Sequence, residues 1–172
     1  MSKIRNIPKI KNPLIVAIRE QLEHRALWLW YLTDEAEKNG CDPNTFAPMA
    51  IRRCGHFQGA GLIRKGKSNT MKGLQKTLFH KIAQWEFEMK VKKVTDDEFI
   101  VDFHYCPHVH AWQQAGCTDE QIQRLCDWAM CGDRGLADMY DGELILKDTI
   151  ADGCETCQLH YIKNHLKNAK NP

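Results

Sequence analysis

Long apolar runs are missing from this chain: nothing approaches the roughly 18 consecutive apolar residues that a membrane span needs. The opening MSKIRNIPKIKNP is basic and lacks the uninterrupted apolar core of a signal peptide. These absences predict a cytoplasmic protein with no membrane partner. An excess of one charge is missing too. With 24 Lys+Arg against 22 Asp+Glu the net charge is +2, too little to predict a nucleic-acid partner. No internal repeat or low-complexity tract is present, and the glycines around Gly61, Gly66 and Lys67 lack the GxxxxGK[ST] spacing of a phosphate loop.

What remains is ordinary globular material, 43% hydrophobic and 27% charged. A chain of 172 residues can bury about two-thirds of its unfolded surface in one core, so a single domain over 1–172 is expected, with 1–10 and 164–172 frayed.

Asn12-Pro13 is a helix start, and the sequence then runs without a breaker to Gly40, predicting one helix of about 26 residues. Leu27, Trp28, Trp30 and Tyr31 make its second half apolar nearly all round, so burial on several sides is expected there. Asp42-Pro43 opens a second helix to about Phe57, and GAGLIRKGKSN reads as a turn before a third helix from about Thr70 to Trp85.

The period then changes from 3.6 to 2. Phe87, Met89 and Val91, and after TDDE Phe99, Val101, Phe103 and Tyr105, alternate with polar positions as in a hairpin. Pro107 ends the second strand, since it cannot donate to a ladder, and HVHAWQQAG reads as a short helical segment closing at Gly116. Thr118 and Gln121 form a capping box for a helix over roughly Asp119 to Met130, expected to stop near Cys131-Gly132-Asp133, with another turn through Tyr140 as the alternative. ELILKDTIA and CQLHYIK read as a second hairpin turning at Asp152-Gly153. The predicted class is α+β, with N-terminal helices packed against an antiparallel sheet of about four strands built from two hairpins.

Eight cysteines are many for this length, and in a reducing compartment they act as thiols, metal ligands or nucleophiles. Cys41, Cys54, Cys117 and Cys126 read as small buried hydrophobes. The stretch FHYCPHVHAW alternates His104, Cys106, His108 and His110, a single-face cluster only if the strand ran through Pro107. Cys154-x-x-Cys157 is one half of a zinc site that Cys126, Cys131 or His110 could complete, but a lone pair of cysteines argues for no metal and no cofactor as the expectation. A redox role for that pair fits poorly, because it leads into a strand rather than a helix.

Cys106 stands out as a thiol at a strand end flanked by histidines, a setting in which it can ionise and attack an electrophilic carbon. The order Phe103-His-Tyr-Cys106, then Cys131-Gly132-Asp133, then Gly153-x-x-x-Cys157 resembles the L-2-amino-thiazoline-4-carboxylic acid hydrolase family. The family pattern commonly continues Cys-Asp-Phe, where this chain has Cys157-Gln158-Leu159.

The resemblance implies a small cytoplasmic hydrolase acting on a C–N bond of a small heterocycle. On that reading Cys106 is the nucleophile, His104 or His108 the base, and Asp133 the acid or orienter. Cys157 is then a pocket residue or second nucleophile, and Cys131, Gly132 and Gly153 bind substrate. The competing expectation is a non-catalytic domain that uses the same cysteines to sense a small molecule or zinc. A homodimer would be the commonest assembly.

Overall fold

A computed structural model describes residues 2–168. The helices α1 (Pro13–Lys38), α2 (Ala47–Gly66), α3 (Met71–Thr77) and α4 (Lys81–Glu86) lead into β1 (Met89–Val94) and β2 (Glu98–Phe103). Then come α5 (Pro107–Gln114), α6 (Asp119–Met139), β3 (Gly142–Leu146), β4 (Cys157–Lys163) and the short α7 (Asn164–Asn168). The sheet is antiparallel in the order β1-β2-β4-β3, so the two hairpins join through β2 and β4. The α+β class is therefore as predicted. Among the described residues no helix is long and apolar enough to cross a membrane.

Alternation decides which sheet face meets the helices. Phe99, Val101, Leu159 and Tyr161 are fully buried, with Phe79 wedged against Phe99 and Tyr161 at ring separations of 5.0 and 5.7 Å. The opposite parity carries Asp102, which accepts from Gln158 at 3.1 Å and pairs with Lys92 at 3.0 Å.

Local signals set the helix starts. Asn12 accepts from Leu14 N–H at 2.9 Å ahead of Pro13, and Thr118 with Gln121 closes the predicted capping box. Several boundaries differ from expectation. The α2 helix runs straight through GAGLIRKG instead of turning there, and the predicted third helix is two short ones broken between Thr77 and Lys81.

The largest difference is α6, which does not stop at Cys131-Gly132-Asp133 but continues to Met139. The cause is packing. At Gly55 of α2 an added Cβ would lie 2.0 Å from the Gly132 carbonyl oxygen, and at Gly135 it would lie 2.3 Å from the Arg52 carbonyl oxygen. Glycines that read locally as breakers instead let two helix backbones touch.

The second half of α1 is less enclosed than its composition suggests. Trp28, Tyr31 and Leu32 are each more than half exposed, while Ala26 and Thr33 carry the buried contacts. The N-terminal segment, expected to fray, is pinned: Ile4 and Asn6 are buried, and Asp119 accepts from Ser2 Oγ and Lys3 N–H at 2.7 and 2.9 Å. The expected frayed tail begins as α7 and from residue 169 lies outside the described residues.

Candidate functional site

β2 ends at Phe103, and after a three-residue link Pro107 starts α5, because its fixed φ suits the first helical position and its missing N–H is not needed there. Cys106 thereby becomes the residue capping α5, in extended backbone. The N–H groups of His108 and Val109, free at the first helical turn, face its sulfur and favour negative charge on it without closing a cap hydrogen bond. Burial works the other way and is stronger: it pushes the Cys106 thiol up to about 11. In the resting site Cys106 is a neutral thiol.

Asn6 fixes this corner from the far end of the chain. Its side-chain N–H donates to the Cys106 carbonyl at 2.8 Å, and its oxygen accepts from the Cys106 N–H at 2.9 Å. Asn6→Ala should leave the Cys106 N–H without its partner, the carbonyl keeping the His110 N–H at 3.1 Å, and lower stability by about 1–3 kcal/mol. A urea titration reads this as a lower midpoint at unchanged slope, and an unchanged midpoint would mean that the clamp contributes nothing.

Around Cys106 the structure gathers Asp133, Cys126 and Cys157, each near enough for its charge to shift another's ionisation. Asp133 projects from the middle of α6. Burial raises its carboxyl, while the Tyr161 hydroxyl donates to it at 2.7 Å and Arg25 and Arg134 partly offset the rise. Tyr161 reaches it from β4, and burial beside Asp133 holds that phenol well above its usual value. Cys157, on the same face of β4, accepts from the Ile150 N–H at 3.2 Å, and burial pushes it up to about 12. Cys126 is pushed up likewise by burial.

Gly153, after the 3-10 turn Ile150–Asp152, has φ +89, where a side chain would be strained. It packs against Lys3, 3.3 Å from where a Cβ would stand, rather than lining the thiol cluster. Gly132 serves the contact with α2. Cys131 is tied to its own helix by the Asp127 carbonyl and the Arg134 side chain, both at 3.5 Å.

The three histidines of FHYCPHVHAW part company because the backbone changes period at Pro107. His104 shares the parity of Asp102 and acts electrostatically on that carboxylate, on the sheet face away from Asp133. His110 packs near Tyr105 and within electrostatic reach of Glu23. His108 lies beside the cluster. Its Nε2 is 3.0 Å from an Arg25 nitrogen, and since arginine only donates, Nε2 accepts and the ring proton sits on Nδ1. Burial and then Arg25 hold His108 down at about 3, so it is neutral.

Among the described residues no three His, Cys, Asp or Glu side chains form a group able to hold a metal ion. Cys126 and Cys157 share the thiol cluster but form no such group with Cys154, while Cys131 is tied to its own helix and His110 packs near Tyr105.

Cys126 also lines a cleft of about 360 Å³. Arg124, Arg134 and Lys147 supply its cations and Asp127 and Asp152 its acids. Arg134 pairs with Asp127 at 2.9 Å and Arg124 with Glu37 at 2.9 Å, whereas Lys147 makes no ion pair among the described residues.

The resting state has a pH signature. Alkylation of Cys106 by iodoacetamide should accelerate about tenfold per pH unit between pH 8 and 10, because the thiolate is the reactive form. Peptide mapping after timed exposure measures it, and a rate at Cys106 that levels off by pH 8 would contradict a raised thiol.

Sequence reasoning missed Arg25, Tyr161 and Asn6 and left Cys126 as core. Tyr161 was findable, since it shares strand parity with Cys157. Arg25 and Asn6 act across about 80 and 100 positions of sequence and carry no local signal.

The family model for L-2-amino-thiazoline-4-carboxylic acid hydrolase matches residues 19–161. No curated protein matches the chain. Among solved structures, trafficking protein particle complex subunit 3 from Naegleria fowleri, covalently bound to palmitic acid, is similar with a TM-score of 0.52 and 14% identity. The similarity covers 81% of this chain and 93% of that one, and at such identity it speaks for the fold alone.

Proposed function

We propose, from the premise that the chain belongs to the L-2-amino-thiazoline-4-carboxylic acid hydrolase family, that it opens a C–N bond of a small cyclic amidine with Cys106 as nucleophile. The observation that supports this reading is a Cys106 thiol facing the first-turn N–H groups of α5 and within electrostatic reach of Asp133, which accepts from the Tyr161 hydroxyl at 2.7 Å.

Asp133 takes the thiol proton as the Cys106 sulfur bonds to the amidine carbon. Transfer between these two groups is eased because burial raises both. The N–H groups of His108 and Val109 stabilise the charge that develops at sulfur. Asp133 then delivers the proton to the ring nitrogen as the C–N bond breaks, leaving the carbon on sulfur. Water adds to that carbon with its proton passing to Asp133, the C–S bond to the enzyme breaks, and the proton returns to Cys106. One water is consumed and the enzyme is restored. Tyr161 holds the Asp133 carboxyl in place throughout, and neutral His108, committed to Arg25, orients rather than accepts a proton.

The cleft beside Cys126 admits the substrate, with Lys147 free to meet a carboxylate. Purified protein should open 2-amino-thiazoline-4-carboxylate, followed by NMR loss of the ring signals. Lys147→Glu should raise KM about tenfold with kcat little changed, as expected when a ground-state contact is lost. Absence of ring opening by the folded protein would overturn the assignment.

A second reading rests on the resting thiol being neutral and buried, in a fold similar to that of the Naegleria protein covalently bound to palmitic acid. Cys106 would then carry an acyl group as a thioester and the domain would be a non-catalytic acyl carrier. Intact mass of freshly purified protein before and after hydroxylamine separates the two: a hydroxylamine-labile fatty-acyl increment on the Cys106 peptide favours this reading, and an unmodified mass with ring opening favours the hydrolase.

A further inference from the structure

The net charge of +2 conceals a strong division of charge. From residue 43 to residue 85 there is no Asp or Glu, while Arg52, Arg53, Arg64, Lys65, Lys67, Lys72, Lys76 and Lys81 all fall there. That segment holds 8 of the 24 cations and none of the 22 acids, which leaves the rest of the chain at net −6.

Arg52 is neutralised by Asp138 at 2.8 Å, but the other seven cations are exposed and make no ion pair among the described residues. On α2 the exposed positions follow helical spacing: Met49, Arg53, Phe57 and Arg64 form one row, with Cys54 and Lys65 beside it. Phe57 is 80% exposed and Met49 65%, far beyond what core packing explains. Where α2 ends, Lys72 and Lys76 of α3 border a cleft of about 510 Å³ with Ser68 and Thr70, and Asp96 is the acid on its rim.

We propose that the outer face of α2, with this lysine-bordered cleft at its C-terminal end, docks on an anionic lipid surface. Met49 and Phe57 enter the boundary between headgroups and acyl chains, and Arg53, Arg64, Lys65, Lys67, Lys72 and Lys76 meet lipid phosphates. Cations interleaved with apolar side chains on a convex helix fit a bilayer. A nucleic-acid strand would call instead for a groove with aromatic stacking platforms. The expectation of no membrane partner came from the lack of a membrane span, which a surface-docking helix does not need, and phosphates within a Debye length sense the nearby charges and not the net sum. This inference is independent of the hydrolase reading and uses none of its residues.

Flotation of the full chain with phosphatidylcholine vesicles, with or without 30 mol% phosphatidylserine, tests it. Binding is expected on the anionic vesicles, at least tenfold weaker on phosphatidylcholine alone, and falling as salt rises. The double variant Arg53→Glu, Arg64→Glu should weaken binding about 20-fold or more, since each cation near the surface contributes about fivefold. Phe57→Ser should weaken it too. Phe57→Trp should shift its fluorescence to the blue on anionic vesicles only. These positions are solvent-facing, so circular dichroism and the thermal midpoint should stay at wild-type values. Equal flotation on both vesicle types, no flotation, or binding to a DNA duplex that survives Phe57→Ser while vesicles fail would each overturn the proposal.

Discussion

Cys106→Ala is expected to reduce ring opening by about 10³-fold or more while the protein stays folded, because covalent catalysis loses its nucleophile. Cys106 is a half-buried residue whose backbone, rather than its sulfur, is tied to Asn6, so alanine keeps the clamp. Cys157→Ser should cost much less activity, since Cys157 accepts from the Ile150 N–H and a hydroxyl can accept there too. Asp133→Asn belongs with the large effects: the amide can still accept from Tyr161 but cannot relay a proton. Steady-state rates on the three variants, each checked for folding by circular dichroism, give the ranking. Comparable losses at Cys106 and Cys157 would point to a shared structural role.

The second large effect concerns the fold. Gly55→Ala should destabilise the protein by about 3 kcal/mol or more, at the upper end of overpacking costs, because the new Cβ meets a backbone oxygen of α6 that no rotamer change can move aside. Gly61→Ala on the same helix is the contrast. Its Cβ would meet only the tip of Arg64 at 3.9 Å, so the better helix former should stabilise by about 0.5–1 kcal/mol. Opposite shifts in the denaturant midpoint for two glycines of one helix are the expected result. Shifts of the same sign would mean that the α2–α6 contact is looser than its geometry states.

That contrast also explains what could be read from the residues. The alternation of Phe99, Val101 and Phe103, the Asn12-Pro13 start and the Thr118–Gln121 box are local rules, and sheet and helices follow them. Gly132 obeys a distant partner instead: whether it ends α6 depends on Gly55, 77 positions earlier, which no window around Gly132 contains. The Cys-Gly-Asp motif thus combines a packing requirement at Gly132 with a site residue at Asp133.

The site divides along the same line. Cys106, Asp133 and Cys157 carry chemistry that their types announce, whereas Arg25 and Asn6 matter only through where the fold carries them. The histidine alternation misled because it assumed one period across Pro107. With α5 starting there, His104 and His108 leave on different elements, and the cluster keeps Cys106 with a neutral, arginine-bound His108 beside it.

Trapping the covalent species addresses the central claim most directly. Acid quench of wild-type enzyme during turnover of 2-amino-thiazoline-4-carboxylate, followed by peptide mass mapping, should show the substrate mass on the Cys106 peptide, with no such increment on Cys106→Ala enzyme. An adduct on Cys157 instead, or full ring opening by Cys106→Ala, would contradict the assignment of Cys106 as nucleophile.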